Sequence, residues 1–277
     1  MTIAIDSTVA AALSSAGTSN NPLIAWDNAA DDGTLTTATG TEVEAAALAG
    51  TSSTYDPWIA TPDTGTAILQ LVLSSPQSLN FVAIAAHNLG DIGADVEIQY
   101  SVNSGGTWND CGSGSVSPSD NQAVGFYFDA TIADYWRIRV TNAGSSDVEI
   151  GVALFSTAIT IGQRIYSGYT PPITQTNVEM ASNITEGGHF VNVAAVRAGS
   201  SAQASLSHID PAFLRGATWK AFQRHFNNGG AFFWAWRPTK YGDLFYAWRS
   251  GNTIAPTNMG VKDLMSFDMQ MRLYDDT

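Results

Sequence analysis

The stretch DVEIQYSVNSGGTW, Asp95 to Trp108, alternates for six residues and then stops at a turn. Val96, Ile98 and Tyr100 fall on one side, and Asp95, Glu97 and Gln99 fall on the other, which is the period of a half-buried strand. Asn103-Ser104-Gly105-Gly106 supplies residues that tolerate left-handed backbone, so a tight turn precedes Trp108. Working upstream, Ala67–Leu73 (AILQLVL) and Asn80–Ala86 (NFVAIAA) read as two strands separated by a turn at Ser74-Ser75-Pro76. Downstream, Tyr135–Val140 alternates again, with Trp136, Ile138 and Val140 inward and Arg137 and Arg139 outward. Val148–Phe155 closes the set. Short strands broken by Gly, Ser and Pro, with no helical period among them, predict a β-sandwich or jelly roll over residues 23–157.

Only 13% of the 277 residues are charged, about half the usual share, so the surface is largely neutral. Residues 1–136 hold fifteen acidic and no basic side chains, whereas residues 137–277 hold ten acidic and twelve basic ones. A break of this size predicts two modules, and the acidic one repels nucleic acid. A single cysteine, Cys111, leaves no intramolecular disulfide and no CxxC site. The first basic residue is Arg137, so the basic start of a secretory signal is absent, and no apolar run reaches the ~18 residues of a membrane span. These features predict a soluble protein without membrane insertion.

Residues 1–22, rich in Ala, Ser, Thr and Asn, read as a loosely ordered arm. Residues 158–277 read as a second β domain, barrel or sandwich, carrying one helix. Asp210 is a good N-cap and Pro211 a good first residue for that helix, which runs to about Asn227 and ends at Gly229-Gly230. Leu214, Ala217, Ala221, Phe222 and His225 or Phe226 form its apolar side. Ser266–Leu273 alternates as a final strand. Together these elements make the chain mainly β, with α+β character in its C-terminal part.

Between helix and final strand lies AFFWAWRPTKYGDLFYAWRS, Ala231 to Ser250, with three of the eight tryptophans. Both aromatic runs have strand length and flank a Pro238–Gly242 connection. Trp234 and Trp236 fall on one face, with Phe233 and Ala235 opposite, so neither face suits water. Phe232, Phe233, Trp234, Trp236, Arg237, Tyr246 and Trp248 are therefore candidates for core or subunit interface, since a stacking platform needs exposed rings.

Two resemblances follow from these motifs. TYDPWIA, ILQLVL, NFVAIAAHNLGDIG, VEIQYSVNSGGTW and DYWRIRV, taken in order, resemble the discoidin-like (galactose-binding-like) jelly roll over residues 24–156. EGGHF, FQRHFNNGGAFFWAWRP, YAW and PTNMGVKDLMSFDMQMRLYD resemble a distal-tail or baseplate-hub protein of tailed bacteriophages, and AAHNLG fits the same proteins. The second resemblance implies a virion protein of the tail tip, made in the host cytoplasm. It implies a ring of copies of this chain, usually hexameric, beneath the tail tube, with tail tube and central hub or baseplate proteins as partners. Proteins of this family are richer in Pro and acid at the position of Lys240-Tyr241-Gly242, so this loop departs from the resemblance. The alternative is a non-catalytic carbohydrate-binding module that finds a cell-surface glycan.

Catalytic motifs are missing: no GxSxG, no HExxH and no P-loop occur, and His87, His189, His208 and His225 lack ligand spacing. The expectation is no enzyme and no cofactor. Asn28-Ala29-Ala30-Asp31-Asp32-Gly33 fails the EF-hand pattern, having Ala at position three and Thr39 at position twelve. The discoidin resemblance implies that such a loop can hold a cation, so Asp31 and Asp32 stand as metal candidates.

Overall fold

A computed structural model describes residues 2–171, 176–260 and 262–275. Contacts divide them into two units: residues up to Arg164 with Gly230–Tyr246, and Ile165–Gly229 with Ala247–Asp275. The division corrects the boundary expected at residue 157, because the aromatic segment returns to the first unit.

The first unit is built on two long strands, Ala67–His87 and Val124–Thr141, paired antiparallel along most of their length. Their register shifts between Val72 and Gln77, and there each strand passes from one layer to the other. The first layer places Gly33–Thr39, Ala67–Val72, Tyr135–Val140, Asp95–Ser101 and Asn109–Asp110 side by side. The second runs from Thr41–Glu44 through Trp58–Thr61 and Val148–Ser156 to Phe81–Ile84 and Val124–Tyr127, with Thr2–Ile5 parallel at its end. Trp58, Leu69, Val96, Phe126, Trp136 and Phe155 fill the space between the layers. This is the jelly-roll sandwich expected from the alternation, and Arg137 and Arg139 do lie outside it.

Ser74-Ser75-Pro76 is a correction. It is an exposed irregularity inside one strand, where the unpaired stretch tolerates a proline without an N–H, and it turns nothing. The N-terminal arm is a second correction, since Thr2–Ile5 is a strand and Ser7–Ser15 a helix. Asp6 caps that helix by accepting the Thr8 N–H at 2.7 Å, and Val9 is buried beneath it. The Thr8 hydroxyl, then the Thr8 N–H, hold the Asp6 carboxyl below its ordinary value. Stability from this cap is therefore present above the unfolded value near pH 4 and lost as pH falls through the lower folded value. Asp6→Ala should cost about 1 kcal/mol at neutral pH. Its melting temperature should converge on that of the wild type in strong acid; a constant gap would exclude the carboxylate as the cap.

Leu23–Ala25, before the sandwich, and Ile159–Thr160, after it, pair with each other. The aromatic strand Phe232–Ala235 joins them on the other side of Leu23–Ala25. The sandwich is thus an insertion between two neighbouring strands of a second sheet.

In the second unit, Phe190–Ile209 pairs with Thr176–Ile184, Tyr169–Thr170 and Met265–Leu273. Phe267, Met269, Met271 and Leu273 are buried as the alternation predicts. The single helix expected at 211–227 is two, Pro211–Arg215 and Ala217–Asn227, because Gly216 leaves the helical region. Its buried side is Trp219, Phe222 and Phe226, while Ala217 and Ala221 are exposed. Trp219, not among the apolar residues expected, touches Phe213, Phe222 and Phe267 at centroid separations of 4.9–5.5 Å.

Candidate functional site

The hairpin of Asp95–Ser101 with Asn109–Asp110 positions one candidate site. Ser104 and Gly105 take φ values of 56° and 83°, and the Gly106 N–H donates to the Asn103 carbonyl at 3.1 Å, which makes the type I′ turn that matches strand twist. Asn103 Oδ1 accepts the Thr107 N–H at 2.8 Å and so locks the residue before Trp108. On the outer face of the sandwich, Arg137 then lies 4.0 Å over the Trp108 ring, a cation–π contact. Its Nε donates to Gln99 Oε1 at 2.7 Å, and Gln99 Nε2 donates to Asp110 Oδ1 at 2.7 Å. One rung away, Arg139 pairs with Glu97, the residue opposite it in register. Burial, and then Arg139 beside it, hold the Arg137 guanidinium below its usual value, opposed by Glu97 and Asp110. The arrangement is a half-exposed ring on a neutral, internally bonded polar ladder, with Tyr135 beside the same turn.

The aromatic segment divides in two. Phe232, Phe233, Trp234 and Tyr246 are at most 4% exposed in one chain, so their own fold buries them. Phe233 packs between Phe81 and Tyr246, at centroid separations of 6.5 and 5.0 Å. Gly125 belongs to this packing: a Cβ there would lie 2.5 Å from Leu244 and 3.1 Å from Phe81. The Tyr246 hydroxyl donates to the Ser52 carbonyl at 2.9 Å, and burial pushes its ionisation up. Trp236, Arg237 and Trp248 are only half-buried. The Trp236 ring stacks on Tyr241 at 5.4 Å, with Arg237 4.6 Å over Trp236 and Lys240 5.0 Å over Tyr241.

The remaining candidates stay apart. Asp31 and Asp32 are exposed in the 3-10 turn Ala29–Asp32, where Asp32 accepts from Gln77 at 3.2 Å. Among the described residues no group of three or more His, Cys, Asp or Glu side chains could hold a metal. His87 is buried and structural: its Nδ1 accepts the Leu89 N–H, and its Nε2 lies 2.8 Å from the Gln122 carbonyl. His208 meets the Tyr166 ring edge-on. Cys111 is buried, and burial pushes its thiol up, which leaves it a poor nucleophile. In the second unit a cavity of about 570 Å³ is lined by Asp210, Leu214, Arg215, Gln223 and Asp263 among others, and Asp210 spends one oxygen capping Ala212. Sequence reasoning missed the Trp108 ladder as a unit, although the outward Arg137 and the turn before Trp108 were both legible.

No family model and no curated protein matches this chain. Among solved structures, it is similar to the CBM32 module of AlyQ in complex with 4,5-unsaturated mannuronic acid, with 18% identity and a TM-score of 0.37 over 47% of this chain and 96% of that one. It is similar to chitosan-binding module 1 from a chitosanase/glucanase of Paenibacillus sp. IK-5, with 20% identity and a TM-score of 0.40 over 47% and 98%. A third, the Clostridium perfringens module CpGH89CBM32-5 in complex with GalNAc-β-1,3-galactose, has 10% identity and a TM-score of 0.41 over 48% and 99%. What the described residues establish is a mainly β chain whose first unit is a jelly-roll sandwich and whose second is a β unit with helices.

Proposed function

We propose that this chain is a non-catalytic structural protein of a phage tail tip, in which the sandwich is an attachment module carried on an assembling body. The insertion topology carries this reading. The residues before the sandwich and the aromatic strand near the C-terminus build one sheet, and the sandwich leaves and re-enters the chain between its neighbouring strands. A module spliced in this way can vary without disturbing the body that holds it. The order of the C-terminal motifs supports the tail-tip assignment, and the burial of the aromatic strand supports a framework role for it.

A glycan-binding role for the sandwich is the second reading, favoured by the Trp108 ring on its polar ladder. Sugars bind through a ring face plus a few directed hydrogen bonds, and Trp108 with Arg137, Gln99 and Asp110 offers both. Electron microscopy of the purified protein, together with a glycan array, tests the two readings. Rings or stacked rings are the expected result. A chain that stays monomeric and binds a glycan, with binding reduced at least tenfold by Trp108→Ala at unchanged melting temperature, would replace the first reading with the second.

A further inference from the structure

The outer face of the first layer carries an unbroken row of polar side chains from one edge of the sheet to the other. Register places Thr36 beside Gln70, Gln70 beside Arg137, Arg137 beside Gln99 and Gln99 beside Asp110. Five strands contribute, so at ~4.8 Å per strand spacing the row is about 19 Å long. The sequence neighbours Leu69, Ile138 and Ile98 are core residues, which leaves the row itself facing outward. Trp108 stands over it through the contact with Arg137. Thr36 and Asp110, on the outermost strands, are exposed, so the row is open at both ends. The protein uses only half of it. Gln99 bonds both Arg137 Nε and Asp110, and Arg139 pairs with Glu97, so the four charges balance in place. Among the described residues, none accepts from the Arg137 Nη groups or bonds the side chains of Gln70 and Thr36.

We propose that this row binds an internal segment of a linear, uncharged polysaccharide, with one sugar ring against Trp108 and further units along Gln70 and Thr36. Its length suits several sugar rings in line, and its open ends let a polymer run past both edges without presenting a chain terminus. The balanced charges offer no net partner to a carboxylate or an ammonium on the ligand. Hydroxyl groups do fit: they accept from the Arg137 Nη groups, and they both donate to and accept from Gln70 and Thr36. The inference rests on the glycan-binding reading above. It adds the class of glycan, its direction across the strands and two residues beyond the Trp108 ladder.

Titration calorimetry of the full chain tests it with soluble glucan, mannan, xylan and galactan, with polygalacturonate, and with the disaccharide to hexasaccharide of whichever polymer binds. Wild type should bind at least one uncharged polymer, and its affinity should rise from disaccharide to hexasaccharide. Gln70→Ala and Thr36→Ala should each reduce that rise by about fivefold, the loss of one hydrogen bond. Thr36→Ala, at an exposed position, guards against misfolding of the Gln70 variant, and melting temperature checks both. Trp108→Ala should weaken binding at every length at least tenfold. If Trp108→Ala removes binding but affinity does not grow with length, or grows equally in the Gln70 and Thr36 variants, the row falls and the glycan reading stands. Tighter binding of polygalacturonate than of every uncharged polymer overturns the uncharged class. Absence of binding to all of them sinks the row and the glycan reading together.

Discussion

Trp234→Ala and Phe233→Ala are both expected to destabilise the folded monomer, by about 3–5 kcal/mol each. The sequence places them on opposite faces of one strand, which suggests that one packs in the core and the other meets a neighbouring subunit. The structure removes that distinction, because Trp234 is 0% and Phe233 1% exposed within a single chain. Phe233 sits against Phe81 and Tyr246, so its loss opens a cavity between the aromatic strand and the sandwich. Trp234 pairs across to Ile24, itself fully buried, and its loss opens the opposite side. Melting temperature and sedimentation of both variants at one protein concentration provide the check. Two unstable variants are expected. A variant with the wild-type melting temperature and weakened assembly would return its ring to an interface and contradict its burial within one chain.

What could be read from the sequence followed from how local its cause was. The Asp95–Ser101 strand and the turn at Asn103–Gly106 were legible because alternation and left-handed turn residues act over a few positions. The buried face of Met265–Leu273 was legible for the same reason. Ser74-Ser75-Pro76 misled because the same residues serve a turn or an interruption within a strand, and only the pairing of Ala67–His87 with Val124–Thr141 decides between them. The helix Ser7–Ser15 was hidden by its small residues, which give it little apolar contrast. Trp219 was overlooked because Gly216 resets the helical phase, so spacing counted from Pro211 selected Ala217 and Ala221 instead. Of the site, Trp108 and Arg137 were each visible but not joined. They lie 29 positions apart in sequence and meet only through sheet register.

Asn28 gives the second large expected effect, and it concerns the loop that resembled a cation site. Its side chain is a strap rather than a ligand. Nδ2 donates to the Gly50 carbonyl at 3.2 Å and to the Ala153 carbonyl at 3.0 Å, while Oδ1 accepts from the N–H groups of Ala30 at 3.2 Å and Phe155 at 3.0 Å. One amide thus ties the turn Ala29–Asp32, the loop at Gly50 and the strand Val148–Ser156. Asn28→Ala leaves all four backbone groups without this partner, and about 2–4 kcal/mol should be lost, since each buried group left unsatisfied costs ~1–3 kcal/mol and this site is partly exposed. Asn28→Asp is the sharper variant. The carboxylate keeps both accepted bonds but sets negative charge against two carbonyl oxygens, which raises its folded ionisation value. The added penalty should then be small below the unfolded value near pH 4, where the carboxyl is protonated in both states, and grow as pH rises towards the folded value. Thermal melting of both variants between pH 3 and 8, with and without millimolar calcium, decides the matter. An Asn28→Asp protein that matches wild type at neutral pH would contradict the strap, and a wild type that gains stability from calcium would mean that the loop takes a cation after all.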